Sequence, residues 1–173
     1  MEYRKIVFNM LIDEITETLS KYGFKKISKR INSGKGVWQL WERNLLWKVD
    51  SVRIIYSKEY SNVYADVTVY FDNIAEERIR LDGANVAYHV REKTSRYSLP
   101  KRELLGFLKN IRASRAINLI VNDIEEALKW FELYDEPQKC IDRIVEDRTS
   151  VHKGGLSYGK ALEHLKTVKM DKE

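Results

Sequence analysis

Three histidines, His89, His152 and His164, one cysteine, Cys140, and a scatter of carboxylates are the side chains of this chain with the most chemistry in them. A metal site needs several such ligands brought together. The histidines fall on three different expected elements, with no His pair at helical spacing and no Cys pair, so the sequence assembles no metal centre and implies no cofactor. Nucleophilic catalysis needs Ser or Cys beside a base held by a third group. No Gly-x-Ser-x-Gly elbow occurs, and Cys140, in "EPQKCIDRIVED", stands among carboxylates that raise a thiol pKa, which marks it as structural. "NSGKG" has a glycine and a lysine but not the spacing of a phosphate loop, and it joins two strands instead of opening a helix. Metal nucleases commonly carry a carboxylate and a lysine two apart on one strand. No Asp or Glu here has Lys two residues on, although Asp66 with Asp72, or Asp50 with Glu59, could converge in space. No catalytic residue and no metal ligand is assigned.

The elements that would position a site follow from periodicity. Phe8, Leu11, Ile12, Ile15, Leu19 and Tyr22 recur at helical steps, with Asp13, Glu14 and Glu17 away from them, and Gly23 supplies a left-handed stop. The period then changes. "FKKISKRI" and "VWQLWERNL" flank the glycine-bearing hairpin loop, and "SVRIIYSKEY" and "NVYADVTVYFD" follow across a short polar turn. In the last of these, Val63, Ala65, Val67, Val69 and Phe71 point one way and Tyr64, Asp66, Thr68 and Tyr70 the other. Short turns imply antiparallel neighbours, because a parallel return needs a dozen residues or more. A fifth and sixth strand are expected around the Asp82-Gly83 turn. Beyond Pro100 the pattern is helical, with helices expected near 100–115, 118–134 and 136–147, a glycine-rich break at "HKGGLSYG", and a last helix from about Gly159 to Lys169. The fold class is therefore α+β: an N-terminal helix packed on an antiparallel meander of four to six strands, then a helical C-terminal half. Residues 1–97 form the helix-plus-sheet unit and 98–173 the helical extension, the two also being compatible with one continuous domain.

The stretch "LIDEITETLSKYGFKKISKRINSGKGVWQLWERN", closing on "VTVYF", resembles the bacterial family called domain of unknown function 4304. Leu19, Tyr22, Gly23, Phe24, Lys25 and Lys26 match its helix-to-strand junction, and Trp38 and Gln39 fall near its aromatic and polar strand. Trp41 and Glu42 stand where the family carries a Gln-x-Ser strand. The resemblance covers residues 10–72, implies a helix followed by antiparallel strands, and carries over no functional residue.

Composition narrows the partners. At 173 residues, 43% hydrophobic and 33% charged, the chain is long enough for one good core, and no run of about 20 apolar residues offers a membrane span. Charges interrupt the N-terminus every few residues, unlike a signal peptide, and a cytoplasmic location is expected. One cysteine excludes an internal disulfide. The net charge of +5 is unevenly placed. Residues 98–116 carry five cations against one carboxylate, and 117–150 carry four against nine. On a helical wheel Lys101, Arg102, Lys109, Arg112 and Arg115 share an arc of about 140°, beside an apolar arc of Leu104, Phe107, Leu108 and Ile111. Asp123, Glu125, Glu126 and Glu132 read as the solvated side of a helix that buries Ile124, Leu128 and Phe131.

Three functional expectations follow. The first is a non-catalytic protein-interaction module, a bacterial or phage accessory or immunity-type factor, binding a protein partner through its sheet edge, helical half or an aromatic surface of Trp38, Trp41, Trp47, Tyr64 and Tyr70. Trp38 and Trp41 fall on opposite faces of their strand by parity, so both cannot be core on a one-sided sheet. The second is a nucleic-acid-binding accessory protein that uses the basic helix together with Lys25, Lys26, Lys29 and Arg30. The third is an enzyme with dispersed residues.

Overall fold

The computed structural model describes residues 2–27, 32–33, 36–57, 62–71, 79–82, 97–98, 107–146, 151–152 and 154–170. Helix α1 (Glu2–Lys21) opens the chain. Strands β1 (Lys25–Ile27), β2 (Asn32–Ser33), β3 (Gly36–Asn44), β4 (Val49–Ser57), β5 (Asn62–Phe71), β6 (Ile79–Asp82) and β7 (Tyr97–Ser98) follow. Helices α2 (Phe107–Glu132) and α3 (Pro137–Glu146), a two-residue strand β8 (Val151–His152) and helix α4 (Gly154–Met170) complete the described chain. The class is α+β, as the periodicities indicate.

All strand pairings are antiparallel, in the order β1-β3-β4-β5-β6-β8, with β2 also on β3 and β7 also on β5. The three long strands β3, β4 and β5 form the centre. Their register runs without a bulge from Gly36 opposite Ser57 to Asn44 opposite Val49, and from Val49 opposite Tyr70 to Ser57 opposite Asn62. Parity therefore puts Gln39, Trp41, Arg43, Asp50, Val52, Ile54, Val63, Val67 and Val69 on one face. All of these are buried except Arg43, which is half-buried. Helix α1 lies against this face. Trp41 is fully buried there and its Nε1–H donates to Thr16 Oγ1 at 3.0 Å, while Phe8 meets the Tyr56 ring at 5.4 Å.

Helix α1 ends where its sequence says it must. Gly23 has φ +81°, a left-handed conformation that side chains resist. Gly23 N–H donates to Ser20 O and Phe24 N–H to Leu19 O, both at 3.1 Å, which satisfies two otherwise orphaned carbonyls. Phe24 then folds under the helix and is buried, as is Leu19. Tyr22, expected on the apolar face, is 43% exposed, because the chain has already turned at that point. Its backbone carbonyl matters more than its ring.

Two expectations need correction. Residues 107–132 form one continuous helix without a break between 115 and 118. No glycine or proline interrupts that stretch, and Ala113, Ile117, Ile120 and Ile124 continue a single buried stripe through it. The three glycines of "HKGGLSYG" do not separate helices; all lie in α4, which begins at Gly154, and His152, two residues earlier, pairs with Arg80 as part of β8. The C-terminal end of α2 packs on the same sheet face as α1, its Phe131 ring 5.7 Å from that of Phe24 and 6.0 Å from the Arg43 guanidinium. One apolar core joins Val7, Leu11, Trp41 and Ile54 from the first half with Ile120, Phe131, Ile144 and Leu165 from the second. Residues 83–96 and 99–106, on either side of the expected division at 97/98 and including the expected sixth strand after Gly83, lie outside the described residues.

Candidate functional site

The β3–β4 hairpin turns through Leu45, Leu46, Trp47 and Lys48, closed by Leu45 N–H donating to Lys48 O at 2.9 Å. Two features meet there. On the buried side is an ionic cluster, and on the outside is an apolar tip.

The cluster is centred on Asp50, whose carboxylate is fully buried. Arg43 stands opposite it across the hairpin register and donates from Nε at 3.1 Å and from Nη2 at 2.6 Å to Asp50 Oδ2. Lys48, two residues before Asp50 and therefore on the same side, brings its ammonium to 3.0 Å from Oδ1. Among the described residues no donor is aligned on Oδ1 well enough to make a hydrogen bond, so the charge of Lys48 is what compensates that oxygen. Each cation also reaches a helix end. Arg43 Nη1 donates to Tyr22 O at 3.1 Å, just past α1, and Lys48 Nζ donates to Tyr134 O at 2.6 Å, in the turn that ends α2.

The charges nearly cancel. Two cations and one carboxylate leave +1, and each helix C-terminus contributes about −0.5 of an elementary charge. The arrangement is thus close to neutral although it is buried, which is the condition for an ion cluster to survive there. Aromatic faces complete it. The Arg43 guanidinium lies 4.8 Å from the Phe24 ring centroid and 6.0 Å from that of Phe131, and Lys48 Nζ lies 5.4 Å from that of Trp47.

Cys140 of α3 is beside this cluster and fully buried. Burial pushes its thiol up from 9.0 to about 12; Lys48 opposes the shift, and Asp50 and Asp135 add to it. Desolvation is the main cause, ahead of the carboxylates that the sequence points to. Two consequences are measurable. Thiol reagents should label Cys140 in native protein only as fast as the fold opens, and immediately in denaturant. Because the folded pKa lies above the unfolded one, the thiol's contribution to stability is complete below about pH 9 and is lost as pH rises toward about 12, where the unfolded chain ionises and the folded one does not. Cys140→Ala should flatten that limb of a pH–stability curve; labelling at the free-thiol rate in native buffer would contradict this account.

Of the expected site residues, five have described side chains: Lys25, Lys26, Arg115, Trp41 and Trp47. Lys25 and Lys26 are exposed on β1, and Arg115 is exposed on α2. Lys29, Arg30, Lys101 and Arg102 lie outside the described residues, as do the side chains of Lys109, Arg112, Trp38, Tyr64 and Tyr70. Trp41 and Trp47, expected on an interaction surface, are core residues instead at 0% and 7% exposure. A helix needs apolar surface beneath it, and these two indoles supply it. His164 is half-buried with Nε2 3.4 Å from Trp47 O, which fixes α4 against the hairpin; His89 lies outside the described residues. No group of three or more His, Cys, Asp or Glu side chains able to hold a metal occurs among the described residues. Among the same residues no helix is long and apolar enough to cross a membrane.

The sequence carries one local signal for the cluster. "KVD" places Lys48 and Asp50 on one side of a strand start, which is the carboxylate–lysine spacing in reverse order. Its partners could not be read, since Tyr134 is 86 residues away.

On the outer side Leu46 is 89% exposed at the hairpin tip and Leu45 42%. Leu133, in the turn that Lys48 ties to the hairpin, is 61% exposed. No family model matches the chain, and neither does any curated protein or solved structure.

Proposed function

We propose that this protein is a non-catalytic interaction module that presents the Leu45–Leu46 hairpin tip to a protein partner. The observation that carries the reading is the 89% exposure of Leu46 on a hairpin whose next residues, Trp47, Lys48, Val49 and Asp50, are all buried. Exposed leucines are common on protein surfaces. A leucine fixed outward by four consecutive buried neighbours is different, because its position is set before binding and little ordering entropy is lost on docking. The polar groups beneath it are engaged in holding the fold: Arg43, Lys48 and Asp50 bind one another and two helix ends. An accessory or immunity-type role, acting by occupancy of a partner, fits such a surface.

The second reading, a nucleic-acid contact, draws on the exposure of Lys25, Lys26 and Arg115. One experiment separates the two. A photo-crosslinking amino acid at position 46, expressed in the native host, should give a single protein adduct. Leu46→Asp should abolish partner capture while changing stability by less than about 0.5 kcal/mol. Adducts to nucleic acid alone, or capture unaffected by Leu46→Asp, would remove the reading.

A further inference from the structure

We infer that Lys48 is a positioning residue that joins the hairpin tip and the turn after α2 into one apolar surface, Leu45, Leu46 and Leu133. A single protein partner covers both parts. This rests on the interaction reading above and adds a second element to its site. Lys48 holds the two elements at once. Its backbone carbonyl accepts from Leu45 N–H at 2.9 Å and closes the tip, while its Nζ donates to Tyr134 O at 2.6 Å, one residue past Leu133. One side chain therefore spans from the leucine tip to the leucine turn. The turn is itself closed. Leu133 N–H donates to Trp130 O and Tyr134 N–H to Phe131 O, both at 3.2 Å, and the Trp130 and Tyr134 ring centroids are 4.8 Å apart. The hairpin is held from a further side by His164, whose Nε2 lies 3.4 Å from Trp47 O.

The tie resists opening. The Lys48 side chain is 1% exposed, so its ammonium is shielded from bulk water, and moving the turn away would strip it of a partner while it is still buried. The three leucines thus keep a fixed relation to one another before any partner arrives. Singly, exposed leucines are common. Two apolar groups on one frame act differently, because once the first is engaged the second contact is made without a further loss of translational freedom. Charge does not select the partner. Exposed Lys129 and Glu132 stand together near the end of α2, and beyond Leu133 the exposed Lys139 is engaged with Asp135 and Glu136. Both signs border the turn, so recognition falls to apolar contact. The partner is a protein with an apolar strip long enough to meet the tip and the turn together.

Two measurements on the full-length protein test this. A photo-crosslinking amino acid at position 133 should yield the same single protein adduct as one at position 46. Leu133→Asp should weaken capture at position 46 by at least about tenfold without moving the melting curve. The tie itself can be read without any partner. Spin labels on Leu46→Cys and Leu133→Cys, in a Cys140→Ala background, should give one narrow distance distribution by electron paramagnetic resonance. Lys48→Met/Asp50→Asn, which removes the ammonium together with the charge it compensates, should broaden or shift that distribution. A lysine that merely stabilised the fold would leave the folded-state distribution unchanged, and that result would overturn the inference. So would no adduct or a different protein at position 133, or capture at position 46 indifferent to Leu133→Asp. An adduct of this chain with itself, or pelleting with lipid vesicles that is lost in Leu133→Asp, would also overturn it, since the surface would then serve a second copy or a membrane. If position 46 gives one protein and position 133 gives none, the interaction reading stands and the joined surface alone is wrong; if position 46 gives none either, that reading falls too.

Discussion

Asp50→Asn is expected to lower stability by about 3–5 kcal/mol, because it removes the anion between the buried Lys48 and the half-buried Arg43. The side chain keeps its shape, so the loss is electrostatic and not a cavity. It should be visible as a lower urea midpoint with an unchanged slope. Neither cation can retreat easily. Arg43 is held between Phe24 and Phe131, and Lys48, 2% exposed, is committed to Tyr134 O. The discriminating variant is the triple apolar replacement Arg43→Met/Lys48→Met/Asp50→Leu. It should be more stable than Asp50→Asn, since no buried charge is left uncompensated. It should still fall short of the parent by about 1–3 kcal/mol, because Tyr134 O loses its donor. A triple variant no better than Asp50→Asn would mean that shape, not charge, holds this corner together.

The second large effect concerns the division of the chain. A fragment of residues 1–97 is expected to show no cooperative unfolding transition by circular dichroism. In the whole protein, the sheet face that carries Trp41 and Ile54 is part of a core shared with Ile120, Phe131 and Ile144. Cutting before α2 would expose that apolar surface, remove the acceptor of Lys48 and unpair β6 from β8. At about 1.5–3 kcal/mol for each large side chain uncovered, the loss is as large as the net stability of a small domain. A sharp, denaturant-dependent transition in the fragment would show instead that the first half is a domain in its own right.

How much of this could be read from the residues differs by element. Helix α1 and its stop at Gly23, the clean alternation of β5, and the buried stripe Ile124, Leu128, Phe131 are local patterns, and local patterns are visible in one dimension. The expected break inside α2 arose from treating the basic stretch and the acidic stretch as separate elements, although nothing in the backbone chemistry divides them. The tryptophans turn on a different point. Parity says that Trp38 and Trp41 point apart but not which face a helix will cover. The ionic cluster was the least legible part. Its members are ordinary surface residue types, and only the arrival of two helix ends from residues 22 and 134 makes their burial tolerable.

The 86 residues between Lys48 and Tyr134 set a delay during synthesis. At about 5–20 residues per second, a ribosome needs about 4–17 s to supply the acceptor after the lysine has been made. A hairpin formed in that interval would hold the Arg43–Asp50 link, hydrated, beside its turn, where aliphatic side chains would wait uncovered. Ions in place of aliphatic side chains at this corner mean that much less apolar surface waits uncovered for the second half of the chain.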